Sequence, residues 1–251
     1  MTDQGEREYL VVDLETVVDT TLYDPPEPAA GEERPFAPLY AQRPVTAGVM
    51  WLSADLRSHA LWTIDGFDEG EERDLLTGLS DAIDERRPIL VTFNGRGFDL
   101  PVLVLRSLRH GVAMPWYFDE ERYRDRRDEA GHLDLHDALA LHGAARRSVS
   151  LDLASRLLGL PGKAGVDGSQ VEPLYRAGRW EEIRRYCLGD VAQTALLLLR
   201  YLRVRGALSL EGYGEAARAL LAALEGDGRL DALLSAVDRP RLLLDRPHKG
   251  D

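Results

Sequence analysis

One short stretch restricts the fold more than any other. Tyr9-Leu10-Val11-Val12-Asp13-Leu14 is a largely apolar, β-branched run that reads as a buried strand. It closes on Asp13-Leu14-Glu15, two carboxylates one residue apart. Side chains alternate along a strand, so Asp13 and Glu15 share one face and Leu14 takes the other. Two adjacent acids resist ionising together, and a divalent cation reverses that repulsion. The strand is a candidate floor for a metal site. An exposed strand end would explain the same tripeptide, so the reading needs partners elsewhere.

The remaining pattern predicts what surrounds the strand. From 17 to 44 the periodicity collapses among six prolines, which predicts a long loop or insertion placed to form one lip of a cleft. Residues 45–53 and 59–65 read as a hairpin, and 69–87 as a helix with Leu75, Leu76, Leu79 and Ile83 on one face. A second buried strand at 89–93 runs through the turn Asn94-Gly95-Arg96-Gly97 into an amphipathic helix at 98–110. This order predicts an α/β fold, a mixed sheet with helices packed on its faces.

Residues 114–133 read as a charged, aromatic surface excursion, with Trp116, Tyr117 and Phe118 partly buried. Short helices are expected at 133–141 and 150–158, and a glycine-rich loop at 161–168. Residues 179–204 form the strongest helix, with Trp180, Ile183, Cys187, Val191, Ala195 and Leu198 on one stripe. Residues 1–206 are expected to form the main domain. Residues 207–251 would add a short C-terminal helical extension and a disordered tail.

Composition narrows the partners. A chain of 251 residues, 44% hydrophobic and 29% charged, suits one large domain or a domain with an appendage. The polar, acidic start predicts no signal peptide, and no apolar run approaches the roughly 20 residues that span a bilayer. Cys187 is the single cysteine, which excludes an internal disulfide and a cysteine-cluster metal site. A cytoplasmic location without membrane contact is expected. The net charge of −12 argues against nonspecific coating of nucleic acid, so any such contact is local, at a strand end or through metal ions.

Further acids line up with the first pair. Asp99 falls in the first turn of the helix after the second buried strand, and ligand sites in open α/β sheets collect beyond such strand ends. Tyr186 and Asp190 are four residues apart, which stacks a phenol and a carboxylate on one helix face. Four carboxylates and a tyrosine suit two-metal phosphodiester hydrolysis. Simpler accounts exist for single residues: Asp99 as a first-turn acid favoured by the helix dipole, Asn94 as a turn former. Gly189 either leaves room beside Asp190 or marks a bend. Lys163 reads as a phosphate contact or as an exposed loop lysine. Asp134 and Asp137, beside His132 and His136, are better explained by helix capping and surface solvation than by a second metal.

Together Asp13-Leu14-Glu15, Asn94 to Asp99 and Tyr186 to Asp190 resemble the three motifs of the DEDD exonuclease superfamily, in its tyrosine-bearing subclass. More narrowly the chain resembles bacterial stand-alone exonucleases related to the proofreading domain of family B DNA polymerases. Phe93 to Pro101, His132 to Leu135, and Leu160 to Lys163 with Asp167 to Ser169 are similar to that group's local patterns.

The resemblance implies a ribonuclease H-like fold and 3′→5′ removal of nucleotides from single-stranded ends, DNA ahead of RNA, with two divalent cations, Mg2+ or Mn2+. It places Asp13, Glu15 and Asp190 on the first metal, Asp13 bridging to a second, and Asp99 supporting the second through water. Tyr186 would hold the attacking water, Asn94 would contact the terminal nucleotide, and Phe98 or Leu14 would pack on a base. The rivals are a nuclease trimming short RNAs and a catalytically inactive binding module of the same fold. Four converging acids speak against the inactive module.

Overall fold

In the computed structural model the first strand outruns its apolar core. The structure describes residues 7–26, 35–57, 59–68, 70–145, 149–162 and 168–245. Strand β1 covers Tyr9–Val18, followed by β2 (Gln42–Leu52), β3 (His59–Asp65), β4 (Ile89–Thr92) and β5 (His132–Asp134). They form one sheet in the order β3-β2-β1-β4-β5. β2 runs antiparallel to β1 and β3, whereas β4 and β5 run parallel to β1 and to each other.

Two boundaries differ from the sequence reading. Val17 and Val18 stay in β1 and pair with Arg43 and Gln42, so the loop begins later and β2 earlier than expected. The register shifts after Glu15: Glu15 faces Thr46, while Thr16 faces Pro44. A bulge accommodates a proline that cannot donate to the ladder, which is why the pairing is hidden in the sequence. Residues 132–134, the second difference, form β5 rather than a helix start. Three residues are too few to show alternation, and the open edge of β4 decides their state.

Helices cover both faces. Leu10, Val12 and Leu14 pack with Leu75, Leu79 and Ile83 of α1 (Glu72–Arg86) and with Leu100 and Leu103 of α2 (Asp99–His110). Trp116 and Tyr123 close this layer from two short helices, α3 (Pro115–Phe118) and α4 (Glu121–Arg124). The segment expected at the surface is therefore anchored: Trp116 Nε1 donates to Ser80 Oγ at 3.0 Å and Tyr123 Oη to Pro88 O at 2.7 Å. Buried aromatics with polar tips keep such partners.

The other face carries Val11 and the long helix. After α5 (Leu135–Leu139), α6 (Leu151–Leu158) and α7 (Val171–Arg176), helix α8 spans Trp180–Val204. Every residue from Cys187 to Leu199 is buried, not the single stripe expected. The sheet covers one side of α8, while α6 and α9 (Leu210–Asp227) cover others. A helix apolar all round is an interior helix. Its close approach depends on Gly48, opposite Asp13 on β2: a Cβ there would meet Cys187 Sγ and Val191 Cγ2 at 2.8 Å.

The C-terminal part belongs to the same core. α10 (Asp231–Ser235) and α11 (Arg239–Leu243) follow α9, and Tyr213 Oη donates to Leu242 O. Leu242 is fully buried, so residues 239–243 are folded rather than part of a disordered tail; 246–251 lie outside the described residues. Among the described residues no helix is long and apolar enough to cross a membrane.

Candidate active site

Asp13 and Glu15 share one face of β1, as their alternation predicted, and that face is turned to α8. A carboxylate oxygen of each and Cys187 Sγ lie within 4.8 Å of one another. The thiol was expected only as part of an apolar stripe. It accepts from Gly48 N at 3.1 Å and sits 3.5 Å from Asp13 O. Burial, reinforced by the Asp13 and Glu15 charges, pushes the Cys187 thiol up, so it stays a neutral S–H. Nothing in sequence spacing links position 187 to position 13; only the packing of α8 does.

Tyr186 and Asp190 approach the same pair from α8. Tyr186 hydrogen-bonds Asp190, and its phenol is pushed well above the ordinary tyrosine range. Burial contributes most, followed by the charges of Asp190, Glu15 and Asp13. The phenol thus lies within electrostatic reach of three acids from two elements. Asp190 also has Gln193 Nε2 3.5 Å from its Oδ1. Tyr186, Asp190 and Gln193 line one side of a cleft of about 280 Å3, with Leu230, Ala232 and Leu233 opposite. Gly189 faces this outer side, 3.4 Å from Leu233 by an added Cβ, so it makes no room for the sheet.

Asp99 enters through the backbone. β4 pairs only with Tyr9 to Val11, which leaves β1 without a strand neighbour on that edge further along. There Leu14 N donates to Asp99 Oδ1 at 3.1 Å, so the first residue of α2 completes the sheet edge. Burial, with a smaller contribution from the Asp134 charge, raises the Asp99 carboxyl to about 7, against the pull of its own and the Leu14 amide.

That shift has a sign. Between the ordinary value of 3.8 and about 7 the folded chain holds a proton that the unfolded chain has lost. This contribution is full below 3.8 and gone above about 7. Each pKa unit is worth about 1.4 kcal/mol. Asp99→Asn should therefore melt higher than the parent at pH 8 in EDTA, by on the order of 1–3 kcal/mol. The gap should narrow toward pH 5. Equal melting at pH 8 would show that the buried charge is already compensated.

The turn before α2 is held by Asp134. Its Oδ1 accepts from Asn94 N at 2.8 Å and its Oδ2 from Arg96 N at 3.0 Å, while Oδ1 also caps α5 through His136 N. Capping is thus right for Asp134. Surface solvation is not: Asp134 and Asp137 are buried, and Asp137 pairs with Arg126. Asn94 is exposed with φ +69°, a turn conformation asparagine tolerates. A Cβ on Gly95 would fall 2.3 Å from Thr92 Oγ1, so this turn requires glycine.

Leu14 is 4% exposed and points into the core with Leu10 and Val12, away from Asp13 and Glu15. Phe98 is half-buried and its ring lies 5.8 Å from that of Phe36, which is 75% exposed. The lip expected after β1 thus has an aromatic edge that the sequence reading did not single out. Lys163 lies outside the described residues.

The chain is similar over 86% of its length to the family B DNA polymerase from the hyperthermophilic archaeon Pyrobaculum calidifontis, with TM-score 0.52 and 18% identity. It spans 28% of that polymerase chain. At this identity the likeness establishes the fold, which is ribonuclease H-like. No curated protein matches the chain. A family model described as a predicted 3′-5′ exonuclease related to the exonuclease domain of PolB matches residues 34–235. The matched span includes Asp99, Tyr186 and Asp190 and begins after Asp13 and Glu15. The chain belongs to this family of predicted, DEDD-type 3′-5′ exonucleases.

Proposed function

We propose that the chain is a 3′→5′ exonuclease of the tyrosine-bearing subclass, acting on single-stranded ends with DNA preferred over RNA. One observation supports the reading: Asp13 and Glu15 of β1 converge beside Cys187 of α8, and the neighbouring Tyr186, which hydrogen-bonds Asp190, lies within electrostatic reach of both acids. Residues 1–206 would be the catalytic domain and 207–251 a helical extension.

The donor set fits hard cations. Carboxylate oxygens suit Mg2+ or Mn2+, while the protonated Cys187 thiol does not. Asp13, Glu15 and Asp190 would hold one ion, Asp13 and Asp99 a second. When bound, the pair supplies positive charge to both the attacking and the leaving oxygen. The chain's own groups do the rest. Tyr186, neutral at working pH, holds the attacking water by a hydrogen bond and does not serve as a base. Leu14 N keeps Asp99 oriented, and Cys187 keeps water from beneath Asp13. Asn94 would contact the terminal nucleotide and Phe98, whose ring lies against that of Phe36, would pack on a base, since bases stack on such aromatics. Leu14 contributes packing beneath the site, and Lys163 would contact the substrate backbone.

The test uses 5′-labelled single-stranded DNA and RNA of equal sequence with Mg2+ or Mn2+. Stepwise shortening from the 3′ end, absent with Asp190→Ala, is expected, and DNA should be the faster substrate. Internal cuts or full activity in EDTA would overturn it. Tyr186→Phe should keep metal-induced stabilisation yet slow turnover roughly 10–100-fold through misplacement of water. Unchanged turnover would remove Tyr186 from the mechanism.

A further inference from the structure

A second cavity takes no part in this chemistry. It encloses about 420 Å3 where β1 ends, between α1, α2 and α7. Pockets of this size hold small ligands. Its walls carry the guanidinium groups of Arg43, Arg106, Arg109 and Arg176 and the imidazole of His110. In a chain of net charge −12 this is a local concentration of cations.

The acids of the wall are already engaged. Glu72 takes a two-pronged bond from Arg106, whose Nη1 also donates to Asp19 at 2.9 Å. Asp19 further accepts from Thr21, and Glu172 accepts from Val18 N and from Arg176. Arg43 stands apart. It is 7% exposed, donates to Gly66 O and Tyr175 Oη, and lies 5.1 Å over the Tyr175 ring. Among the described residues no carboxylate lies within ion-pair distance of it. His110 Nε2 is 3.0 Å from Glu72 Oε2 yet buried without an aligned hydrogen bond. A buried cation with no counter-charge is destabilising until an anion joins it. Guanidinium forks match phosphate oxygens in shape and charge.

We propose that this cavity binds a phosphomonoester of nucleotide size. Arg43 is the buried anchor; Arg109 and Arg176, 38% and 59% exposed and paired with Asp19 at 3.4 Å and Glu172 at 2.8 Å, turn their remaining N–H groups to the phosphate from the rim. A free nucleoside monophosphate and the 5′-phosphate of a strand present the same group. The site stands independently of the nuclease reading.

Titration calorimetry in EDTA at fixed ionic strength tests it, with dAMP, deoxyadenosine and inorganic phosphate as probes. EDTA silences cation-dependent binding at Asp13 and Glu15. One dAMP per chain is expected, bound at least about tenfold tighter than deoxyadenosine, with inorganic phosphate competing. Arg43→Gln and the double variant Arg109→Ala/Arg176→Ala should each weaken dAMP about tenfold or more, and Asp13→Asn should not. If Arg43→Gln fails to fold, the exposed double variant decides. Absence of binding, equal binding of deoxyadenosine, or full binding by a folded double variant would overturn the proposal. A 5′-phosphorylated oligonucleotide that displaces dAMP supports the site with the strand as its source. An oligonucleotide that does not displace dAMP supports the free nucleotide.

Discussion

Asp13→Asn should lower 3′→5′ nuclease turnover by on the order of 10^3-fold or more, at least the loss seen when one charge-stabilising group is removed from other active sites. Asparagine keeps the shape of the side chain beside Cys187 but removes the charge that both cations are proposed to share. Folding should be unharmed, because the change also relieves repulsion with Glu15. In EDTA the variant should melt no lower than the parent. Millimolar Mn2+ should stabilise the parent and not the variant, since a ligand stabilises only the state that binds it. A variant that keeps the Mn2+ shift, or a tenth of parental turnover, would move the metal site away from Asp13.

The second large effect concerns stability alone. Arg106 is 1% exposed and ties α2 to Glu72 of α1 and to Asp19 at the end of β1. Arg106→Met leaves the buried Glu72 without a guanidinium partner and leaves Asp19 with only the half-exposed Arg109, 3.4 Å away. Breaking a buried pair in this way costs about 3–5 kcal/mol, roughly 10 °C for a chain of this size. Burial by itself would raise Asp19, but the Thr21 hydroxyl and Arg106 hold it down to about 2. A depressed carboxyl stabilises above its ordinary value of 3.8 and loses that stabilisation as the pH falls toward 2. The variant should therefore lose most at neutral pH and less in acid. Urea melts at about pH 7 and about pH 3 measure both. A neutral-pH loss below about 1 kcal/mol would show that water in the cavity already solvates the two acids.

The sheet and its helices were legible in the sequence wherever an element was long enough to show a period. β1, the hairpin, α1, α2 and α8 are all of that kind. β5 was not, because His132–Asp134 is held by its neighbour rather than by a pattern of its own. The continuation of β1 through Val18 was hidden by Pro44, whose bulge exists only where two strands meet. The segment 114–133 looked like a surface excursion because charged residues surround its aromatics, yet Trp116, expected to be partly buried, and Tyr123 are fully buried and close the core on one face, while Phe118 stays exposed.

The sequence by itself determined that Asp13 and Glu15 share a face, that Tyr186 and Asp190 stack on one helix, and that Asp99 opens the helix after a buried strand. Those are consequences of local geometry, a period of two or of 3.6, and need no knowledge of the fold. Only the tertiary structure decided that the α8 pair comes within electrostatic reach of the β1 pair. Gly48 lets α8 settle onto β1, Cys187 becomes the floor beneath Asp13, and the short β4 leaves Leu14 N for Asp99. It also decided that Arg43 and Arg106, far apart in the chain, wall one cavity. Contacts between residues so far apart in the chain arise from packing, which no local periodicity records.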